Sequence, residues 1–139
     1  MPTLTRYYIK AALIYFIIAI TLNVLLSARA ILNLPSEIGA YRIIYVHLLT
    51  VGWLTQLIFG VINWMFPKYS KEHPRGNEKL GWLTYITLNI GLCLRAIGEP
   101  LLTIEPTYNT GWIVALSAIL QFIAIWGFII NTWARVRER

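Results

Sequence analysis

The side chain best suited to chemistry in this 139-residue chain is that of His47, which lies in the apolar run between Tyr41 and Pro67. An ionisable side chain at membrane depth is costly, so such residues usually serve a function. A neutral imidazole is also a good ligand for metals, including haem iron. Spacing alone leaves three roles open for His47: a hydrogen bond across a helix interface, ligation of haem iron or another metal, and a proton relay.

Two arginines are predicted to lie at a similar depth to His47. His47 lies about 10 Å inside the predicted start of its helix at Ala40. Arg42 precedes it by five residues, and Arg95 closes the next apolar segment, four residues before Glu99. The set suits haem b, with His47 on the iron and the guanidinium groups of Arg42 and Arg95 on the propionates. Alternatively, Arg42 is an interfacial anchor and Arg95 pairs only with Glu99.

The residue types needed for several other chemistries are missing from the sequence. Aspartate is absent, because all six acidic residues are glutamate, and Cys93 is the single cysteine. No C-x-x-C-H motif is present for covalent haem attachment, so any haem would be held non-covalently. A copper centre needs about three nitrogen ligands, whereas the other histidine, His73, lies in a charged loop. Complete oxidase activity is therefore not expected of a single protomer, and whether the protein is an enzyme stays open.

The composition predicts an integral membrane protein that is entirely α-helical. The chain is 58% hydrophobic and 13% charged, against about 25% charged residues in soluble domains. Four segments reach or approach the ~20 apolar residues that cross a bilayer. They are predicted at Tyr7–Ala28, Ala40–Phe66, Leu80–Ile97 and Gly111–Ala134. The expected fold is one four-transmembrane-helix bundle over residues 1–139.

Smaller patterns refine this prediction. Pro100 and Pro106 predict that the third helix breaks at Gly98. Tyrosines near the ends of the spans, Tyr8 among them, are expected in the aromatic belt at the lipid–water boundary. Small and amide residues follow one face of the second span, which favours helix packing, with a polar channel or cofactor cleft as the alternative. These residues are Gly52, Gln56, Gly60 and Asn63.

The formal net charge of +6 is better explained by membrane topology than by nucleic-acid binding. Four spans place the two termini and the second loop on one side of the bilayer. That side holds most of the basic residues, so the positive-inside rule predicts that both termini are cytoplasmic. These residues are Arg6, Lys10, Lys68, Lys71, Arg75, Lys79, Arg135, Arg137 and Arg139.

Two runs of sequence resemble parts of a known family. Arg42-x4-His47 followed by Leu-Leu-Thr-Val-Gly-Trp-Leu resembles the second transmembrane helix of haem–copper oxidase subunit I, particularly the cbb3 type. The run LNIGLCLRAIGEP, which ends at Pro100, is similar to short four-helix proteins related to that subunit. A looser similarity exists to NnrS-type haem membrane proteins linked to nitric oxide. The resemblance covers about half of the chain.

The resemblance implies that His47 ligates haem, while Arg42 matches the family pattern by spacing alone. The family's subunit has twelve helices in three arcs of four, and this chain has the length of one arc. That implies a homo-oligomer, with a homotrimer favoured and a homodimer as the alternative. The implied function is diatomic gas binding (NO, CO or O2) or electron transfer in the prokaryotic cytoplasmic membrane, without a copper site. The alternatives are a cofactor-free accessory or scaffold subunit of a respiratory complex and a small channel or transporter.

Overall fold

A computed structural model describes residues 1–136, and these residues form an all-helical fold. Within that range, four helices are long and apolar enough to cross a membrane. They are α1 (Thr3–Ala28), α2 (Ser36–Met65), α3 (Glu78–Ile104) and α4 (Tyr108–Trp133). Each predicted apolar span coincides with one of these helices, so the prediction of four membrane-length helices is confirmed. Arg137 and Arg139 lie outside the described residues.

The predicted break in the third helix is wrong, because α3 continues through Pro100 to Ile104. Proline removes one backbone donor from a helix interior and usually kinks or ends it. Here the segment is held by packing, since Gly98, Glu99 and Pro100 are all buried. A Cβ atom at Gly98 would lie 2.8 Å from Ile113 of α4. The close contact with α4 therefore continues past the point where the sequence predicts a loop.

The helices form two antiparallel hairpins, with α1 against α2 and α3 against α4. Glycines on α2 accept bulky side chains of α1: a Cβ at Gly52 would lie 2.9 Å from Tyr15, and one at Gly60 would lie 3.0 Å from Tyr8. Small residues allow such close approach between membrane helices. The small-residue face of α2 is therefore a packing face.

The second helix changes its winding along its length. It starts with a 3-10 segment at Ser36–Tyr41, becomes α-helical over Arg42–His47, and is π-helical over Leu48–Thr55. It returns to the α form over Gln56–Met65. The π-helical segment Leu48–Thr55 can be related to the spacing of the buried residues.

Four residues that must face the core of the bundle recur at intervals of four. They are Ile44, Leu48, Gly52 and Gln56, and all are buried. On a regular α-helix, each step of four residues rotates the side chain about 40° past the previous one. A π-helical segment holds more residues in each turn, so each residue turns the helix by a smaller angle and the segment offsets the drift of the adjoining α-helical steps.

A hydrogen-bonded group of three side chains joins the two hairpins at membrane depth. The side chains of Gln56 and Asn89 exchange hydrogen bonds of 3.2 and 3.3 Å, and the hydroxyl of Tyr15 donates to Asn89 Oδ1 at 2.9 Å. Lipid offers no alternative partner to these groups. The three side chains therefore fix the register of α1, α2 and α3.

The prediction that Tyr8 belongs to the aromatic belt is wrong, because its side chain is 1% exposed and lies in the core. Its ring contacts Phe59 and Tyr85 edge-on, with ring centroids 6.1 and 5.1 Å apart. The ring fits because the facing residue of α2 is Gly60. Position near the end of a span did not distinguish an inward-facing tyrosine from an interfacial one.

We expect Asn89→Leu to lower the free energy of unfolding by about 1–2 kcal/mol, because Gln56 and Tyr15 both lose their partner inside the bundle. Thermal unfolding in one detergent would measure this. Asn23→Leu is the matched control, since Asn23 is exposed on α1, and its effect should stay within about 0.5 kcal/mol. Equal effects of the two variants would contradict a structural role for the three-residue group.

Candidate functional site

The imidazole of His47 is held in one tautomer by its own helix. Its Nδ1 atom lies 3.0 Å from the carbonyl oxygen of Ile43, one turn earlier. A carbonyl can only accept, so Nδ1 carries the hydrogen and donates it. In the neutral ring, Nε2 then has the free lone pair that a metal requires. Among residues 1–136, no side chain or backbone group forms a hydrogen bond with Nε2.

His47 lies on a flank of α2, between the packed face and the outer surface. Ile44 and Leu48 on one side of it are buried against α1. Ile43 and Val46 on the other side are exposed by 45% and 48%. The imidazole itself is half-buried. A ligand of Nε2 would therefore lie against the outer surface of this chain.

Arg42 lies at the start of the regular α-helical part of α2, where its side chain is exposed. Within the part of the chain that the structure describes, its guanidinium has neither an ion pair nor a hydrogen bond. Its separation from His47 is about 7.5 Å along the axis, from a rise of 1.5 Å per residue. Arg42 can therefore bind an anionic group between the level of His47 and the end of the bundle that holds the connection between α1 and α2.

Arg95 is held away from this face by neighbours on α3 and α4. Its Nη1 atom lies 2.6 Å from Glu99 Oε1, and its Nε donates to Ser117 Oγ at 3.1 Å. Gln121 donates to the same Ser117 hydroxyl at 3.2 Å. No hydrogen bond or ion pair in residues 1–136 links Arg95 to His47.

The depth of Arg95 relative to His47 follows from the packing of α3 against α2. Ala96, the next residue of α3, packs against the cluster that includes Ile44 and Leu48 on α2. Arg95 therefore lies near the level of His47, but its guanidinium is engaged by Glu99 and Ser117. Within residues 1–136, only Arg42 of the two arginines has no side-chain partner.

Sequence reasoning missed the role of Arg135, which it placed only among the basic residues on the predicted cytoplasmic side. The side chain is 1% exposed and donates to the carbonyl oxygens of Asn63, Phe66 and Pro67 at 3.0 to 3.2 Å. These carbonyls end α2, where the helix dipole favours a positive charge. No sequence motif marks this contact, because it joins positions that lie far apart in the chain.

The described residues offer one histidine within the membrane-length helices and no preformed metal cluster. No group of three or more His, Cys, Asp or Glu side chains among residues 1–136 is placed to hold a metal ion. A single imidazole suffices for haem, whose other four iron ligands belong to the porphyrin. Comparisons with family models, curated proteins and solved structures found no match to this chain.

We expect Glu99→Gln to destabilise the protein by about 2 kcal/mol, because it leaves the guanidinium of Arg95 without a countercharge inside the bundle. Chemical or thermal unfolding in detergent would measure the loss. Glu105→Gln removes the same charge from an exposed position after α3 and should be nearly neutral. If Arg95 were instead free to turn toward His47, both substitutions would have similarly small effects.

Proposed function

We propose that this protein is a four-helix membrane protein that binds haem b through His47 and either binds a diatomic gas or transfers electrons. The observation that carries the proposal is the hydrogen bond from His47 Nδ1 to the Ile43 carbonyl. A metal-ligating histidine usually donates its other ring nitrogen to such an acceptor, which fixes the ring and raises its basicity. His47 therefore has the orientation and tautomer of a ligand.

The surroundings of His47 fit the apolar ring of haem on one side. Ile43 and Val46 present aliphatic surface next to the imidazole, as a porphyrin face requires. The group would lie against the flank of α2, with its second face covered by another molecule. This supports self-association around the cofactor, and the resemblance of the chain to one four-helix arc favours a homotrimer over a homodimer.

Arg42 is the better of the two proposed propionate partners. Its guanidinium is exposed and lies on the outer side of His47, where a carboxylate would meet water and a positive charge. Arg95 would have to exchange Glu99 for a propionate, at the cost of leaving a carboxylate unpaired near the membrane interior. We therefore assign Arg95 to the proposed site only as a contributor of positive charge that stays paired with Glu99.

The chemistry of the proposed cofactor is reversible one-electron exchange at iron and, where an axial position is open, binding of NO, CO or O2. The chain supplies the imidazole, the apolar surface and the outer cation. We further propose the prokaryotic cytoplasmic membrane as its location, with both termini cytoplasmic. The basic residues at the end of the bundle that holds the loop between α2 and α3 support this orientation.

Expression with haem supplied, followed by purification in detergent, should yield a Soret absorption band. We expect His47→Ala to remove this band while circular dichroism shows the helices intact. His73→Ala is the matched control, because His73 is exposed in the loop between α2 and α3, and it should keep the band. Haem-free wild-type protein would overturn the proposal and favour the cofactor-free scaffold function instead.

Carbon monoxide added to the reduced protein separates the two proposed activities. A shifted Soret band means that one axial position is open, as a trimer with one His47 per haem would provide. An unchanged band means two strong axial ligands, as a dimer with two His47 side chains on one haem would provide. The first result assigns gas binding, and the second assigns electron transfer.

A further inference from the structure

A cavity of about 500 Å³ lies at the opposite end of the bundle from His47, where α1 and α3 begin. Its walls come from the start of α1, the end of α2, the loop before α3 and the end of α4. Polar side chains and the indole of Trp82 line it. The lining residues include Thr3, Asn63, Arg75, Glu78, Trp82 and Asn131.

The guanidinium of Arg75 is the cation in this cavity, and the chain positions it specifically. Its Nε donates to the carbonyl oxygen of Asn63 at 3.1 Å, which leaves both terminal amino groups free of bonds to the described residues. The following turn is fixed by Gly76, whose φ of 76° favours glycine. Asn77 then donates its backbone N–H to Asn131 at 2.8 Å. Arg75 is therefore part of an ordered wall.

The charges around the cavity do not balance. Arg135 also donates to the Asn63 carbonyl, so two guanidinium groups share the end of one helix. Burial, and secondarily the proximity of Arg75, lowers the pKa of Arg135. A helix C-terminus supplies about half a negative charge. Within residues 1–136, neither guanidinium has a carboxylate at ion-pair distance.

One acidic side chain in the cavity wall reduces this excess without removing it. Glu78 lies in the first turn of α3 and is exposed. On the facing wall, α1 begins at Thr3 behind Pro2, and no side chain caps its first turn. The first N–H groups of α1 therefore add partial positive charge beside Arg75. A net positive potential remains in a cavity of ligand size.

The aromatic residues at the cavity favour a lipid as the molecule that carries the bound anionic group. Trp82 contacts Tyr7 edge-on with ring centroids 5.2 Å apart, and Tyr7 is 51% exposed on the outer surface. Such aromatic pairs mark the level of lipid headgroups. Basic pockets between membrane helices at this level bind the headgroups of anionic lipids. A lipid could place its phosphate at Arg75 and its chains along Tyr7 and Trp82.

We propose that this cavity binds the phosphate of an anionic phospholipid, with Arg75 as its principal ligand. The terminal amino groups of Arg75 donate to two phosphate oxygens, a geometry that guanidinium matches well. Arg135 adds long-range attraction without touching the phosphate, because its side chain is buried and lies outside the cavity wall. Glu78 opposes binding and sets the affinity below that of a purely basic cavity.

The experiment compares two lipids that differ in charge. Delipidated protein in detergent is titrated with phosphatidylglycerol or phosphatidylcholine, and bound lipid is counted by native mass spectrometry. We expect the wild type to bind phosphatidylglycerol preferentially and Arg75→Gln to weaken this binding about fivefold or more. Lys71→Gln is the matched control, because it removes the same charge from an exposed position in the same loop, outside the cavity wall.

A second variant keeps the proposal testable if Arg75→Gln fails to fold. Glu78→Gln leaves the contact between Arg75 and Asn63 intact and removes the opposing charge, so it should strengthen phosphatidylglycerol binding about twofold to fivefold. No lipid preference in the wild type would overturn the proposal, as would equal losses in Arg75→Gln and Lys71→Gln. Competition by millimolar inorganic phosphate as strong as that by the lipid would overturn the assignment to a lipid.

Discussion

The exchange of hydrogen bonds between Gln56 and Asn89 sets the relative position of the two helical hairpins. Each hairpin packs closely through its own glycines, but those contacts do not determine how one hairpin lies against the other. Amide groups at membrane depth have no water as a hydrogen-bond partner, so they are most stable when they bond to each other. Tyr15 joins the same group from α1. The depth of His47 relative to Arg95 follows from this one register.

The bundle solves the problem of arginine near lipid in two different ways. Arg95 is neutralised by a carboxylate on its own helix and oriented by a serine on α4. Arg135 has carbonyl oxygens as partners and lies at the negative end of a helix dipole. The ion pair of Arg95 with Glu99 carries no net charge, and it leaves the Arg95 guanidinium engaged. Arg135 has no carboxylate partner among the described residues, so its positive charge remains near the loop between α2 and α3, close to the cavity that Arg75 lines.

The sequence predicted the four spans well because composition and length decide them almost alone. It failed where tertiary contacts override local preference. Pro100 stays helical because the neighbouring Gly98 packs against α4, and Tyr8 is in the core because Gly60 makes room for it. The π-helical segment was not predicted, because Ile44, Leu48, Gly52 and Gln56 recur at steps of four, a spacing that regular α-helices also show.

The sequence could single out His47 as a candidate but could not predict the orientation of its ring. A lone histidine in an apolar span can be recognised from the sequence alone. Its tautomer cannot, because it depends on the carbonyl of Ile43 one turn away and on the α-helical form of that turn. The widened winding begins directly after His47, at Leu48. If the π form began one turn earlier, the Ile43 carbonyl would shift relative to the ring, and the bond that orients the imidazole would be lost. The packing of α2 against α1 thus determines whether Nε2 is presented as a ligand at all.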